Sequence, residues 1–334
     1  MNIIIPMAGL GKRLRPHTLT VPKPLLPIAG KAIVHRLVED IAKVCSEKID
    51  IIGFIIHPSF GKETEENLIA IAKGLGAEGR IYYQESAFGI SHALLFAKEL
   101  FKGKVIVAFA DTLFKADFKL DTTRDGIIWV QKVKDPSQFG VVKLNDKKEI
   151  IELIEKPSDF ISDLAIIGIY FFKDGEALAR EMQYLIDNNI REKGEFQFTT
   201  ALENLTKKGS RFLIGEVTEW LDCGNKEVTV QTNQRYLEFI KDQKLVSDKA
   251  RIVNSVIISP CFIDEGAIIE NSVVGPHVSI GALTHVTDSR IKNTIIQKNS
   301  RISNAVLEDS MLGNFVNFEA RPHNLSVGDF NSIK

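Results

Sequence analysis

Short apolar runs alternate with amphipathic segments over the first 110 residues or so of the chain. The runs predict buried strands, and they are "NIIIPM" (2–7), "DIIGFII" (50–56), "RIYYQE" (80–85) and "KVIVAFAD" (104–111). The amphipathic segments between them have helical spacing, and they are residues 30–47, 62–76 and 89–101. Strands that alternate with helices predict an α/β fold, in which a mostly parallel, Rossmann-like sheet carries helices on both faces.

From about residue 127 to 172 the pattern becomes richer in strands, and helical spacing then returns. The later helices are predicted at about 174–190, 197–208 and 226–241. The last of these is expected to close a first domain that covers residues 1–242.

After about residue 250 a short repeat replaces the helical pattern. Related quartets begin at four asparagines, Asn254, Asn271, Asn293 and Asn304, and the separations lie near multiples of five to six residues. Such a period predicts a parallel β-helix with three flat faces over residues 250–325. A β-sandwich of short strands is the alternative. Because flat β-helix sides commonly pair with other subunits, we expect a homo-oligomer.

Composition limits the classes of partner. A chain of 334 residues exceeds the usual size of one hydrophobic core, which agrees with two domains. The net charge of -1 makes general attraction to nucleic acid unfavourable. Lys12 and Arg13 interrupt the apolar start too early for a signal peptide, and no run reaches transmembrane length. The three cysteines show no metal-ligand or disulfide spacing. We therefore predict a cytoplasmic protein with no membrane or nucleic-acid partner.

Positive charge gathers near the first glycine turn. Six basic residues precede the first acidic one, Glu39, and they are Lys12, Arg13, Arg15, Lys23, Lys31 and Arg36. Gly9 and Gly11 would let backbone N–H groups approach phosphate oxygens. A nucleoside triphosphate together with a sugar phosphate carries roughly six negative charges. The cluster therefore predicts a receptacle for two phosphorylated substrates, and the alternative is a solvated basic face.

Two common phosphate motifs do not fit this turn. A dinucleotide fingerprint needs a third glycine, where Leu14 stands, and this argues against a nicotinamide-dependent oxidoreductase. A Walker A loop needs Ser or Thr after its lysine, where Arg13 follows Lys12.

The stretch "MAGLGKRLRPHT…PKPLLPIAGK" resembles the signature of the sugar-phosphate nucleotidyltransferases, also called nucleotide-sugar pyrophosphorylases. The resemblance covers roughly residues 2–240. It implies the nucleotide-diphospho-sugar transferase type of sheet, and some members carry a left-handed β-helix after it. It also implies transfer of a nucleotidyl group from a nucleoside triphosphate to a sugar 1-phosphate, with dTTP or UTP and glucose 1-phosphate as the nearest substrates.

The resemblance also implies roles for individual residues. It places the triphosphate on Ala8, Gly9, Gly11, Lys12 and Arg13, and the base on Gln84 and Gly89. It makes Lys23 a catalytic contact to the α-phosphate and the sugar phosphate, with Arg13 supporting the departing pyrophosphate. It gives Mg²⁺ two carboxylate ligands, Asp111 and Asp222. The alternatives are a helix cap for Asp111 and a turn for Asp222.

The sugar phosphate site follows in the same way. "FGVV" and "EKP" match the family's sugar-binding segments, and the implied contacts are Gly140, Glu155, Lys156, Gly168, Tyr170 and Glu195. The chain departs from frequent family residues at Lys12, Ala110, Thr112 and Thr200. Two other functions stay open: a non-catalytic sugar-nucleotide-binding regulator, and a second, acyltransferase activity in the β-helix that would use His277 or His285.

Overall fold

The computed structural model describes residues 1–321 and 326–330. Contacts divide the chain into two compact units: Met1–Leu26 with Ala32–Gly224, and Pro27–Lys31 with the described residues from Asn225 onward. This division differs from a first domain ending at 242, because the helix after Asn225 contacts the hairpin strand at Pro27–Ile28 within the second unit. Residues 322–325 of the predicted β-helix lie outside the described residues.

The elements agree with the predicted alternation. The α-helices are α1 (Ile33–Val44), α2 (Gly61–Gly74), α3 (Ile90–Leu95), α4 (Gly175–Asp187), α5 (Phe198–Lys207) and α6 (Lys226–Phe239). The strands up to residue 222 are β1 (Asn2–Pro6), β2 (Pro27–Ile28), β3 (Lys31–Ala32), β4 (Ile51–Ile56), β5 (Glu78–Tyr83), β6 (Val105–Ala108), β7 (Thr112–Lys115), β8 (Gly126–Lys132), β9 (Gly140–Leu144), β10 (Ile150–Glu155), β11 (Leu164–Phe172), β12 (Phe212–Glu216) and β13 (Glu219–Asp222).

The main sheet of the first unit has a parallel half and an antiparallel half. Its order is β10-β9-β11-β6-β1-β4-β5, and β8 and β12 extend it from β11. Strands β6, β1, β4 and β5 are parallel to their neighbours, whereas β11 runs antiparallel to β6, β8 and β9. All nine residues of β11 are buried, so this strand forms the centre of the core where the two halves meet. The α/β sheet predicted from the sequence is confirmed.

The parallel half places two loops at one edge of the sheet. Strands β1 and β6 pair in parallel, with Asn2 beside Val105 and Ile4 beside Val107. The glycine turn follows β1, and Asp111 follows β6 after two further residues. Since the carboxyl ends of parallel strands meet at the same edge, this topology brings the basic turn next to Asp111.

The second unit contains a left-handed parallel β-helix of three sheets. Its strands are β14 (Arg251–Val253), β15 (Val256–Ile257), β16 (Cys261–Ile263), β17 (Ile268–Glu270), β18 (Val273–Val274), β19 (Val278–Ile280), β20 (His285–Thr287), β21 (Arg290–Ile291), β22 (Ile295–Ile296), β23 (Arg301–Ser303), β24 (Val306–Leu307), β25 (Met311–Leu312) and β26 (Asn317–Glu319). Every third strand pairs in parallel with the strand one coil earlier, so the β-sandwich alternative is wrong.

Aliphatic side chains stack inside the coils. Ile269, Val286 and Ile302 form one such ladder and are at most 1% exposed. Burying a side chain of this kind contributes about 1.5–3 kcal/mol, but only when the next coil covers it. This requirement explains why one or two aliphatics recur in each short unit of the sequence.

Polar residues at the corners explain the rest of the repeat. Asn254, Asn271 and Asn304 occupy equivalent corners with φ between 47° and 53°, and Asp288 takes the same place between them. The serine after Asn254 accepts a hydrogen bond from the backbone of the next coil at 3.0 Å, and the serine after Asn271 repeats the contact at the same distance. Asn293 belongs to a different corner, so grouping it with the other three was wrong.

The coils are not all of one length. Successive pairing steps are 17 residues from Val273 to Arg290, but 16 residues from Ser279 to Ile295. The missing residue therefore falls at the corner between these two sheets, where residues 292–294 replace the longer turn at 275–278.

Candidate active site

The glycine turn after β1 leads into a short 3-10 helix, Lys12–Leu14. Gly11 precedes it with φ +57, and a Cβ at Gly11 would lie 2.9 Å from the Cβ of Lys23. Thr18 closes the loop by donating its hydroxyl hydrogen to the Gly11 carbonyl at 2.8 Å. Gly11 is therefore required for the close packing of the turn against Lys23. Gly9 has open space around its Cα, which leaves room for a ligand.

Lys23 and Asp111 form an ion pair at this turn. Lys23 Nζ lies 2.9 Å from Asp111 Oδ2, and Lys23 is only 8% exposed. Lysine is almost never buried to this degree without a partner. The prolines on either side of Lys23 fix φ and so reduce the freedom of the short 3-10 helix Lys23–Leu25 that carries it.

Asp222 joins this cluster through a two-stranded antiparallel pairing. Strand β13 pairs with β7 so that Asp222 stands opposite Thr112, and the Cys223 N–H donates to the Asp111 carbonyl at 3.0 Å. Burial raises the pKa of Asp222 and the negative charge of Asp111 raises it further, while Lys23 and Arg13 act in the opposite direction. Two carboxylates therefore share one region that is partly removed from water.

Arg13 approaches the same carboxylate across a glycine. A Cβ at Gly224 would lie 2.8 Å from Asp222 Oδ2 and 3.4 Å from Arg13 Nη2. The absence of a side chain at Gly224 thus leaves room for both groups. The sequence analysis did not single out Gly224, although it stands two residues after Asp222 in "WLDCGN".

A cavity of about 410 Å³ opens at this cluster. This volume is within the range of small-molecule sites in proteins. Predicted residues that line it are Gly9, Gly11, Lys12, Arg13, Lys23 and Asp111. The structure therefore brings the nucleotide turn and two of the predicted catalytic cations together with one carboxylate. Ala8 lies in the same turn between two of these residues.

The two aspartates provide the hard oxygen ligands that Mg²⁺ prefers. Within residues 1–321 and 326–330, no group of three or more His, Cys, Asp or Glu side chains could hold a metal ion. A magnesium ion here would need its other ligands from water and substrate phosphates, which is how this ion usually binds in phosphoryl-transfer sites. The donor set therefore fits the predicted ion.

The predicted base-reading residues lie at the end of β5 and the start of α3. Gln84 is 9% exposed, and its Nε2 donates to the Ser86 carbonyl at 3.0 Å. Gly89 has φ +108, and a Cβ there would lie 2.6 Å from the Phe196 carbonyl oxygen. Packing alone therefore requires a glycine at this position. Its neighbour Ile90 lines the cavity.

Four of the predicted sugar contacts form a second cluster in the same unit. Gly140 pairs with Glu155 in the β9–β10 hairpin, and a Cβ at Gly140 would lie 3.0 Å from Glu155 Oε2. The Nζ of Lys156 is 3.9 Å from Glu155 Oε1. Burial raises the pKa of Glu155; Lys156 and Lys193 lower it, and the negative charge of Glu195 adds to the rise. Gly140, Glu155, Lys156 and Glu195 are thus brought together.

Lys193 supports this cluster and was missed from the sequence. Its Nζ donates to the carbonyls of Glu155 and Lys156 at 3.1 and 3.3 Å. Its position two residues before Glu195 in a charged turn was the available signal. Thr200, where the family often has an aspartate, donates to Glu192 Oε2 at 3.2 Å.

Gly168 and Tyr170 have packing roles in β11. Gly168 has φ +83 at a shift in the strand register, and a Cβ there would lie 2.7 Å from the Phe109 ring. The Tyr170 ring is 4% exposed and packs 5.0 Å from the Phe198 ring. Burial raises the pKa of Tyr170, with a further contribution from Glu155. The predicted sugar contact at Tyr170 is therefore part of the hydrophobic core.

The histidines considered for acyl transfer are both paired with carboxylates inside the second unit. His277 Nε2 lies 2.7 Å from Glu238 Oε1, and His285 Nε2 lies 3.2 Å from Glu270 Oε2. These contacts account for both rings structurally. As for a membrane role, none of the described helices combines the length and the hydropathy that crossing a bilayer needs.

Comparison with known proteins agrees with these observations. The nucleotidyl transferase family profile matches residues 2–238, and that of the GlmU-like C-terminal hexapeptide region matches residues 238–314. A glucose-1-phosphate thymidylyltransferase of Streptomyces antibioticus is 28% identical over 100% of this chain and 99% of that protein. A bifunctional protein GlmU of Methanocaldococcus jannaschii is 30% identical over 95% of this chain and 79% of that protein.

A third relative is the low-salt glycan biosynthesis nucleotidyltransferase Agl11 of Haloferax volcanii, which is 29% identical over the full length of both chains. The profile match covers well over half of the chain and coincides with the unit that holds the glycine turn, the ion pair and the two aspartates. The chain is therefore an enzyme of the nucleotidyl transferase family, followed by a GlmU-like hexapeptide region.

Proposed function

We propose that the enzyme joins a nucleoside triphosphate to a sugar 1-phosphate and releases pyrophosphate. The observation that carries this proposal is the cluster of Arg13, Lys23, Asp111 and Asp222 around one cavity. Two cations held next to two carboxylates can receive polyphosphate together with a divalent ion. The second cluster at Glu155 offers a carboxylate for sugar hydroxyls and Lys156 for a phosphate.

The proposed reaction is a displacement at the α-phosphorus. An oxygen of the sugar phosphate forms a bond to this phosphorus, and the bond to the bridging oxygen of pyrophosphate breaks. The second pKa of a phosphate monoester is about 6, so the attacking group is already largely dianionic at neutral pH. No side chain is needed to remove a proton, and the enzyme acts by positioning and by charge stabilisation.

The residues divide this work between them. Lys23 holds the α-phosphate against the incoming sugar phosphate, and its burial keeps its charge from being screened by water. Arg13 offsets the charge that grows on departing pyrophosphate. Asp111 and Asp222 would hold Mg²⁺, which when bound supplies a divalent charge to neighbouring phosphate oxygens.

We propose dTTP or UTP with glucose 1-phosphate as the first substrates to test. The support is the name of the Streptomyces antibioticus relative, which matches nearly end to end. The assay mixes each nucleoside triphosphate with each of several sugar 1-phosphates and measures released pyrophosphate. At least one pair should release it in a magnesium-dependent manner, and silence across the whole set would overturn the proposal.

Substitution of Asp111 tests the site directly. Asp111→Asn should lower turnover by about 10²–10³-fold or more, since it removes a charge from the reacting centre. Asp117→Asn is the matched control, because Asp117 is an exposed carboxylate on the segment just after β7 and bonds only the Thr218 hydroxyl among the hydrogen bonds found in the structure. Wild-type turnover in Asp111→Asn, or an equal loss in Asp117→Asn, would mean that the assignment is wrong.

A further inference from the structure

A hairpin of the N-terminal sequence packs as part of the second unit. Strands β2 and β3 form this hairpin, with Ala29 and Gly30 at its tip. Both tip residues have positive φ, 47° and 86°, as a two-residue turn of the I′ type requires. Ile28 and Ala29 are 0% and 1% exposed, so the hairpin is fixed by its surroundings.

Asn233 on α6 holds the tip of the hairpin. Its Oδ1 accepts a hydrogen bond from the Ala29 N–H at 2.9 Å and a second from the Ser279 hydroxyl at 2.8 Å. Ser279 belongs to β19 of the β-helix. Asn233 is 0% exposed, and its Nδ2 has no hydrogen-bond partner among the described residues. Such a buried unpaired donor costs about 1–3 kcal/mol, so only the Oδ1 contacts repay the presence of an asparagine here.

Phe262 of β16 holds the other tip residue. A Cβ at Gly30 would lie 2.1 Å from Phe262 Cζ, so ring and backbone are in direct contact. The hairpin tip is thus gripped by a helix and by two strands of the β-helix.

The hairpin follows Lys23 after three residues. The Leu26 N–H donates to the Lys23 carbonyl at 3.1 Å, and the Leu25 N–H donates to the Pro22 carbonyl at 2.9 Å. Prolines at positions 22, 24 and 27 fix φ through this stretch, which makes it a stiff link. A displacement of the hairpin is therefore passed along the chain to Lys23 instead of being absorbed.

We propose that Asn233 is a positioning residue for the nucleotidyl transfer reaction, acting through the hairpin on Lys23. The hexapeptide unit then takes part in catalysis by holding this hairpin, in addition to any role in assembly. This inference rests on the proposed function of Lys23, and the experiment below separates the two.

The test compares four full-length variants with the wild-type enzyme. Asn233→Leu removes the acceptor, Asn233→Asp keeps it, and Ser279→Ala removes one of its two donors. Ser300→Ala is the matched control, because Ser300 is equally buried in the β-helix and bonds the Gly313 carbonyl at 3.0 Å, away from the hairpin. Two properties are measured: steady-state kinetics by pyrophosphate release, and hydrogen exchange at the amides of Leu25 and Leu26.

We expect kcat of Asn233→Leu to fall about 10- to 100-fold, since a misplacement of about 1 Å has effects of this size. KM for the triphosphate should change less than kcat, and the Leu25 and Leu26 amides should exchange faster. Ser279→Ala should show a smaller loss, Asn233→Asp should recover most of the activity, and Ser300→Ala should match the wild type in both measurements.

Three results would overturn the inference: a wild-type kcat in Asn233→Leu, unchanged exchange at Leu25 and Leu26, or an equal loss in Ser300→Ala. If Asn233→Leu does not fold, Ser279→Ala decides by the same criteria. If the wild-type enzyme releases no pyrophosphate from any pair, the proposed function fails, and exchange at Leu25 and Leu26 alone decides whether Asn233 fixes the turn.

Discussion

The substitution Gly11→Ala tests how closely the glycine turn is fitted to the catalytic lysine. The new Cβ would lie 2.9 Å from the Cβ of Lys23 and 3.1 Å from Cγ2 of Thr18. Both neighbours are near their own backbones and cannot simply swing aside. The loop must widen by a few tenths of an ångström or more, and Lys23 moves with it.

Two effects contribute to the expected magnitude. Alanine at φ +57 costs about 1–2 kcal/mol of stability, because its Cβ crowds the following carbonyl in the left-handed region. The steric contact adds a displacement of Lys23 relative to Asp111, and a shift approaching 1 Å lowers turnover by up to about 10²-fold. We therefore expect about a tenfold or greater fall in kcat together with a modest loss of stability.

Gly76→Ala is the matched control. Gly76 has φ +75 but no atom within 4 Å of its would-be Cβ, so alanine there carries the backbone strain without the clash. Urea unfolding should show similar losses of stability in the two variants, while pyrophosphate release should fall only in Gly11→Ala. The reasoning is refuted if Gly11→Ala keeps wild-type turnover, or if Gly76→Ala loses as much.

Three further predictions address other residues of the site. Gly9→Ala should leave stability unchanged, since Gly9 has open space and no positive φ, but should raise KM for the triphosphate if backbone groups there meet phosphate; an unchanged KM would contradict this contact. The raised pKa of Glu155 means that its ionised form destabilises the fold, so this stability difference is absent well below the ordinary carboxylate pKa and grows as pH rises through the raised one. Glu155→Gln should therefore be the more stable protein above that window in urea unfolding at several pH values, with an unchanged difference across pH as the contrary result; KM of the wild type for the sugar phosphate should rise as pH falls through the same window, because the carboxylate then loses acceptor capacity. Tyr170→Phe keeps the packed ring and should leave KM for the sugar phosphate within about twofold, whereas loss of a true hydroxyl contact is worth about 0.5–1.5 kcal/mol and would raise it further.

Local pattern was enough to predict the elements of the first unit. The apolar runs before the glycine turn and before Asp111 became parallel strands β1 and β6, and their order in the sheet follows from the handedness of βαβ crossovers. The approach of Asp222 to Asp111 was implied only by family resemblance. It depends on the pairing of β13 with β7, which are about a hundred residues apart, and no local period encodes such a pairing.

Tyr170 shows why side-chain direction in a strand is harder to predict. Residues in β11 alternate between faces until the pairing with β8 shifts between Ile166 and Tyr170. Gly168, at positive φ, lies inside this irregular stretch, and a bulge of this kind changes which face the following side chains occupy. The spacing from Gly168 therefore did not identify the face of Tyr170, whose ring joins the core.

The shorter corner of the β-helix has a consequence for how such a rod could lengthen or shrink. Because one residue is lost between the sheets containing Val273 and Ser279, both the 17-residue and the 16-residue turn of the rod leave the interior isoleucines in phase. That corner is a natural tolerance point, where deletion of a single residue would leave the stacking order intact. An equal deletion inside a strand would reverse the inside and outside of every residue up to the next bend.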